Sequence, residues 1–335
     1  MSERGGRTRS TALFFMGAGL LILAFAGSLV LGAVRIPITD IISWAFGQLP
    51  DDDLARRVLT GVRLPRSLAA VAVGASLGVA GAALQGIHRT PVVDGHLVGI
   101  SAASGVGVAI AYAVAPSDVK VVAAVTLGAT AGALYGLASR KFGHTGGGPV
   151  VLVLIGIAAG LAMTAWTGLF VLSVDSPAVP TLSFFIFGSL SGATMAILTI
   201  AAPLVSVAIG GLWWMGPGLD LLSLGEEESI HLGFDARKRV PSALAAIGIA
   251  IGASVALGGV IGFVGLIVPL ALRPMFGPSQ RVLIPASAMG GAIAVLIFDV
   301  AARTMAAPVE IPLGLLTAAI GGPVLVWLVR RETTQ

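Results

Sequence analysis

The sequence predicts an all-α integral membrane protein of about ten transmembrane helices, and three observations carry that expectation. The mean hydropathy is +0.98, well above the range of chains dissolved in water. Of 335 residues, 56% are apolar and only 11% are charged, a balance that a soluble chain of this size does not tolerate without aggregating. Apolar stretches of about 20 residues, the length that crosses a hydrocarbon layer, recur along the whole chain with the charge held in short segments between them. No room remains for a sizeable soluble domain, so residues 1–335 read as a single transmembrane domain. Most of the 46 glycines lie inside the apolar runs, as in Gly74-Ala75-Ser76-Leu77-Gly78 and Gly321-Gly322. Small residues there let helix backbones approach closely in lipid.

In chain order the spans are expected at 12–32, 66–85, 97–115, 119–138, 149–172, 193–214, 241–259, 260–276, 282–301 and 313–329. The first follows Arg4, Arg7 and Arg9, and its run from Leu13 to Gly32 is longer than the core of a secretory signal, so it reads as an uncleaved helix. With the N-terminus in the cytoplasm, alternation through ten spans puts thirteen Lys and Arg inside and seven outside. Basic residues favour the cytoplasmic side, so both termini are expected there. Most of the outer exceptions, Arg35, Arg56, Arg57, Arg63 and Arg66, lie near the segment 33–65 between spans one and two. In that segment Ile41, Ile42, Trp44 and Phe46 predict a short helix lying at the interface. Asp51, Asp52 and Asp53 follow, and with Arg56 and Arg57 they read as a solvated helix with internal ion pairs.

Val73-Gly74-Ala75-Ser76 aligns with Ile251-Gly252-Ala253-Ser254, and Pro65-Arg66-Ser67-Leu68-Ala69-Ala70 resembles Pro241-Ser242-Ala243-Leu244-Ala245-Ala246. If these mark spans two and seven, each repeat holds five helices. An odd number inverts the second copy, an arrangement typical of transporters. The longest cytoplasmic loop contains Ser223-Leu224-Gly225-Glu226-Glu227-Glu228 and continues through Gly233 to Arg239. Ser223 with Glu226 is a capping-box pattern, predicting a helix from about Leu224 to Leu232. Gly233 would end it and Asp235 would cap the next. A simple connection needs only a handful of residues, so this knob, 221–236, reads as a docking surface for a cytoplasmic partner.

Several chemistries are excluded. Gly143-His144-Thr145-Gly146-Gly147-Gly148 lacks the Lys-Ser/Thr ending of a phosphate-binding loop. Zero cysteines removes disulfides and thiolate metal sites, and His88, His96, His144 and His231 have no metal-ligand spacing. The sequence pI of 10.1 records membrane topology rather than nucleic-acid binding. The polar residues within or bordering spans are Gln85, Arg89, Asp94, His96, Asp299 and Arg303. Each is costly in lipid unless it faces protein or water. Asp299 and Arg303 stand four apart, the spacing of an ion pair on one helix face.

Over nearly its whole length the chain resembles the permeases of ABC importers for iron–siderophore complexes, haem and vitamin B12, the FecCD family. The resemblance rests on Arg63-Leu64-Pro65-Arg66, Gly81-Ala82-Ala83-Leu84-Gln85-Gly86, Thr90-Pro91 through Leu97-Val98-Gly99-Ile100-Ser101, Leu224-Gly225-Glu226-Glu227, Gly262-Phe263-Val264-Gly265-Leu266-Ile267-Val268-Pro269 and Glu310-Ile311-Pro312-Leu313-Gly314, in that order. It implies a type II ABC importer permease fold in the bacterial cytoplasmic (inner) membrane. The implied partners are a second permease, identical or not, with the path between the two, two cytoplasmic ATP-binding subunits, and an extracytoplasmic substrate-binding protein. ATP and Mg would sit on the ATPase, with no cofactor in this chain and no nucleic acid. The resemblance assigns Leu224, Gly225, Glu226, Glu227, Glu228 and Gly233 to coupling with the ATPase. Arg63, Arg66 and Arg303 match outer arginines that dock the binding protein. Gln85, Arg89, Thr90, Pro91, Asp94 and Pro269 fall on the path or its gates. The chain departs from the family pattern at Thr90-Pro91, Val93-Asp94-Gly95 and Pro269-Leu270, which bears on cargo and gating. Iron–siderophore is the first cargo implied, with haem or a cobamide behind it. The alternatives from other classes are a proton- or sodium-driven secondary transporter, which Asp299 and the inverted repeat would serve, and a structural or sensory membrane subunit.

Overall fold

The computed structural model describes residues 2–32, 36–50, 53–114, 117–142, 148–173, 186–307 and 309–333. The helices in these segments are α1 (Ser2–Val30), α2 (Ile38–Ala45), α3 (Leu54–Val58), α4 (Leu64–His88), α5 (Ile100–Val114), α6 (Ser117–Phe142), α7 (Gly148–Ser173), α8 (Met195–Leu222), α9 (Glu226–His231), α10 (Ala236–Gly258), α11 (Val264–Phe276), α12 (Gln280–Thr304) and α13 (Leu313–Thr333). Five are long and apolar enough to cross a membrane: α1, the continuous run Leu54–His88, α8, α10 and α12. Shorter apolar stretches in α5, α6, α7, α11 and α13 supply the other five of the ten expected. Large apolar side chains face outward, among them Phe15, Ile22 and Leu23 on α1 and Leu161, Trp166 and Leu169 on α7. Such surfaces are stable in lipid or against another subunit, not in water.

The centre of the bundle is built by glycine. A methyl group on Gly74 of α4 would overlap the Gly291 carbonyl of α12, and one on Gly78 would overlap that of Ser287. In the same way Gly248 of α10 lies on the Gly128 carbonyl of α6, and Gly252 lies on Ala124. The α4–α12 and α10–α6 pairs are the two most extensive helix contacts among the described residues. Spans two with nine and seven with four are exchanged when five is added to or taken from each number. The packing therefore carries the inverted five-helix repeat that the two glycine strings suggested.

Departures from the expected boundaries have local causes. Asp53 caps the chain into a helix at Leu54, its carboxylate accepting the Ala55 N–H at 2.7 Å. A π-helical turn, Leu59–Arg63, then leads without a break into α4. Span two thus starts inside the segment expected to be loop, and Arg63 is drawn into the bundle. The interfacial helix is present as α2, and Ile36, Leu49, Ala55 and Leu59 form a small core under it. Asp51, Asp52, Arg35 and the glycine-rich 143–147 lie outside the described residues. Helix α8 runs eight residues past the expected end at 214, to Leu222. α11 starts at Val264 rather than 260, because Gly259 and Phe263 both take positive φ, 69° and 68°.

Candidate functional site

At the end of the bundle expected to face outward, α4, α12 and the segment before α13 converge on an ionic cluster. Asp299, fully buried, accepts Arg66 Nε at 2.8 Å. The other Asp299 oxygen faces Arg303 Nε at 3.5 Å, so the predicted i,i+4 pair forms as an ion pair. Arg66 also donates through both terminal nitrogens to Glu310, at 2.7 and 3.1 Å. Arg303 reaches α1, donating to the Ser28 carbonyl at 2.7 Å and hydroxyl at 2.9 Å. Arg63 donates to the carbonyls of Leu29 and Val30. Burial raises the pKa of the Glu310 carboxyl, but the hydrogen bonds and charge of Arg66 outweigh it, with smaller help from Ser189 and Arg303, and hold it below its ordinary value. Arg63, Arg66 and Arg303 were expected on an open outer face. The structure corrects that setting: their relative exposures are 3%, 7% and 8%, and each guanidinium is turned inward onto α1, Asp299 or Glu310. Buried in this way, each arginine has its partners inside the chain, although Arg303 Nε and the Asp299 oxygen facing it share only the ion pair and no hydrogen bond.

At the opposite end of the bundle, the segment 221–236 expected to be cytoplasmic is a short helix on a rigid base. Leu224 is 64% exposed, and Glu227, Glu228, Leu232 and Gly233 are exposed with it, while Gly225 and Glu226 are half-buried. The capping box does not form: Ser223 Oγ donates back to the Asp220 carbonyl at 2.6 Å, and Gly225, at φ +133°, occupies the N-cap of α9 without a side-chain cap. The chain needs a left-handed residue at that corner, which serine does not supply. Gly233 ends α9 at φ +92°, as its identity predicts. Asp235 takes the N-cap position of α10 and pairs with Lys238 at 3.1 Å; that hydrogen bond keeps its carboxyl pKa low. The second short helix anticipated beyond Gly233 is thus the start of α10 itself. Phe234 anchors the knob, its ring filling the space over Gly218 so closely that a methyl there would overlap it.

Of the residues expected at the path, Arg89, Thr90, Pro91 and Asp94 fall on the irregular segment 89–99, Gln85 lies in α4 and Pro269 in α11; a second irregular segment, 259–263, precedes α11. Arg89 ends α4 in the left-handed region at φ 52°. With Phe263 it is one of two non-glycine residues at positive φ among those described. Asp94 is buried; its carboxylate accepts the Gly95 N–H at 2.6 Å and lies against Gly265 in the first turn of α11, at that helix's positive end. Pro269 is buried within α11 and cannot donate to the Gly265 carbonyl, which lies directly against Gly81. Gln85 donates to the Leu266 carbonyl at 3.1 Å and accepts Arg273 Nη2 at 3.0 Å. Gln85, Arg89, Arg273 and Gln280 line a cleft of about 530 Å³ at the end of the bundle that carries the knob, whereas Thr90, Pro91 and Asp94 do not reach it. His88, by contrast, is spent on structure, bonded to the Leu84 carbonyl at 3.0 Å and the Tyr135 hydroxyl at 2.9 Å.

Glu310, Ser28 and Asp220 were not singled out from the sequence as site residues. Glu310 stood in plain view in Glu310-Ile311-Pro312, but its partner Arg66 is 244 residues away, and no spacing rule reaches that far.

Comparison with known proteins gives a consistent picture. The sequence pattern of the FecCD transport family matches residues 20–331. The hemin transport system permease of Yersinia pestis is 36% identical over 94% of this chain and 94% of its own length. A vitamin B12 import system permease of Vibrio vulnificus is 33% identical over 93% and 94%. Among solved structures, a metal-chelate type ABC transporter in an inward-facing conformation superposes with a TM-score of 0.82 at 28% identity, covering 96% of this chain and 99% of the other.

Proposed function

Because the chain belongs to the FecCD transport family and is the permease subunit of an ABC importer for metal chelates, we propose that it pairs with a second permease, receives ATP-driven motion from two cytoplasmic ATPase subunits at 221–236, and takes cargo from an extracytoplasmic binding protein. The observation that carries the ATPase contact is the knob. Leu224, Ile230 and Leu232 expose apolar surface at its tip, Glu227 and Glu228 surround it with charge, and Phe234 fixes its base. Apolar anchors inside a polar rim are what a protein partner binds. With this multi-pass chain in the cytoplasmic membrane and its termini inside, the knob faces the ATPases.

On the outer side, Arg63, Arg66 and Arg303 act in docking by holding the rim on which the binding protein sits, not by reaching it themselves. Glu310, whose side chain is 26% exposed, is the accessible member of the group. At the inner side, Gln85, Arg89 and Arg273 serve as polar groups of the cytoplasmic mouth, and Thr90, Pro91, Asp94 and Pro269 shape the irregular segments behind it. The cargo is a bulky chelate, with ferric siderophore first and haem or a cobamide next. Asp299, which an ion-driven carrier would need as a proton acceptor, is held between two guanidiniums.

The test is a cargo panel. The importer, with ATPase and binding protein expressed from neighbouring genes, is reconstituted in liposomes and offered a ferric siderophore, hemin and cyanocobalamin. Saturable uptake of one of them is expected; uptake of none, in liposomes whose ATPase is active, contradicts the assignment.

A further inference from the structure

The N-terminus of α12 is capped in an unusual way. Ser279 occupies its N-cap position but does not cap it; its hydroxyl instead donates at 2.7 Å to Asp220, near the end of α8. The same carboxylate accepts the backbone N–H of Gln280 and, at 3.5 Å, that of Arg281. A carboxylate from another span has therefore replaced the helix's own cap, and its charge lies at the positive end of a 25-residue helix. Two further contacts reinforce the joint. Trp213 Nε1 donates to the Arg281 carbonyl at 3.3 Å, and Gly216 lets α8 approach the Arg281 backbone, where a methyl would lie 3.1 Å from Cα.

This joint has the knob on one side of it and α12 on the other. Asp220 immediately precedes the knob, 221–236, and Phe234 of the knob packs on Gly218, two residues before Asp220. Helix α12 then runs along α4, locked by the Gly74–Gly291 and Gly78–Ser287 contacts, to Asp299 and Arg303 in the outer cluster. Bodies packed backbone to backbone move together rather than deform.

We propose that Asp220 is a positioning residue that joins the ATPase-driven knob to α12, so that motion at the cytoplasmic face is delivered through the α4–α12 pair to the outer cluster. Asp220 also borders the cleft lined by Gln85 and Arg89, but its carboxylate is engaged by Ser279 and the Gln280 and Arg281 N–H groups, and its role is through that joint. Its contribution is to make cargo movement follow ATP hydrolysis. The inference rests on the proposed ATPase contact at 221–236.

The test uses the complete importer in proteoliposomes and measures cargo moved per ATP hydrolysed. Asp220→Ala is expected to co-purify with the ATPase and to hydrolyse ATP within about twofold of wild type, while the ratio falls by about fivefold or more, the lower end of coupling between linked sites. Asp220→Asn keeps one oxygen for the Gln280 N–H and should recover most of the ratio. An Asp220→Ala ratio equal to wild type overturns the proposal. If that variant assembles poorly, Ser279→Ala, which removes one donor and leaves the backbone contacts, should lower the ratio about twofold; no change then overturns it. A wild-type importer that shows no ATP-dependent uptake would instead refute the ATPase contact itself, so the two failures are distinguishable.

Discussion

Replacing Asp299 by alanine is the sharpest perturbation of the outer cluster. The carboxylate is fully buried and serves Arg66 at 2.8 Å and Arg303 at 3.5 Å. Taking one partner from a buried ion pair leaves uncompensated charge and costs roughly 3–5 kcal/mol. Here the lower end applies, because Arg66 keeps both bonds to Glu310 and Arg303 keeps those to Ser28. At about 2–4 °C per kcal/mol, a loss of about 3 kcal/mol lowers the melting temperature by roughly 6–12 °C. The assay is thermal unfolding of the purified importer in detergent, followed by fluorescence-detected size exclusion. Glu310→Ala is the control: its side chain is 26% exposed and Arg66 retains Asp299, so about 1 kcal/mol is expected. If Asp299→Ala proved no worse than Glu310→Ala, Asp299 would not be the residue that holds the ionic cluster together, and its arginines would have to be bound to something else.

Four further outcomes follow from the same geometry. Gly74→Val sets a branched side chain into the Gly291 carbonyl; backbone cannot yield as a side-chain tip can, so no folded importer should be recovered on size exclusion. Leu224→Asp places charge at the tip of the knob and should remove the ATPase from pull-downs while the melting temperature of the isolated permease moves by less than about 2 °C. Arg89→Gly relieves a left-handed conformation at φ 52° and should stabilise the chain by about 1 kcal/mol, with slower cargo release if its guanidinium serves the mouth. The Glu310 carboxyl has a folded-state pKa below its ordinary 4.5, so its stabilisation is complete above that value and is lost as pH falls through the lowered one. The melting temperature should therefore drop on acidification below about pH 4.5, and Glu310→Gln should lack that part of the drop.

Hydropathy located the ten spans because membrane insertion imposes one length and one composition on every helix. Glycine strings disclosed the repeat because close helix approach in lipid requires a missing side chain, at Gly74 as at Gly252. The knob was legible from Gly225 and Gly233, whose positive φ values only glycine accepts readily. What the sequence misjudged was the destination of long polar side chains. Arg63 and Arg66 look alike on paper whether they point outward or inward, and the choice is made by Asp299, Glu310 and the Leu29 and Val30 carbonyls, more than thirty residues away. Ser223 was read as a cap because its spacing to Glu226 was right, yet the chain turned at Gly225 first. Asp220 was not singled out, since its partners at 279–281 lie beyond the knob and two further spans, α10 and α11, and no local pattern links them to it.

The central claim is that this chain moves a metal chelate only when an ATPase drives its cytoplasmic knob. The most direct measurement loads proteoliposomes of the complete importer with ATP or with a non-hydrolysable analogue, and applies a proton or sodium gradient in a third set, following radiolabelled chelate. Uptake with ATP alone, abolished by Leu224→Asp, is the predicted result; uptake driven by an ion gradient without ATP would contradict it.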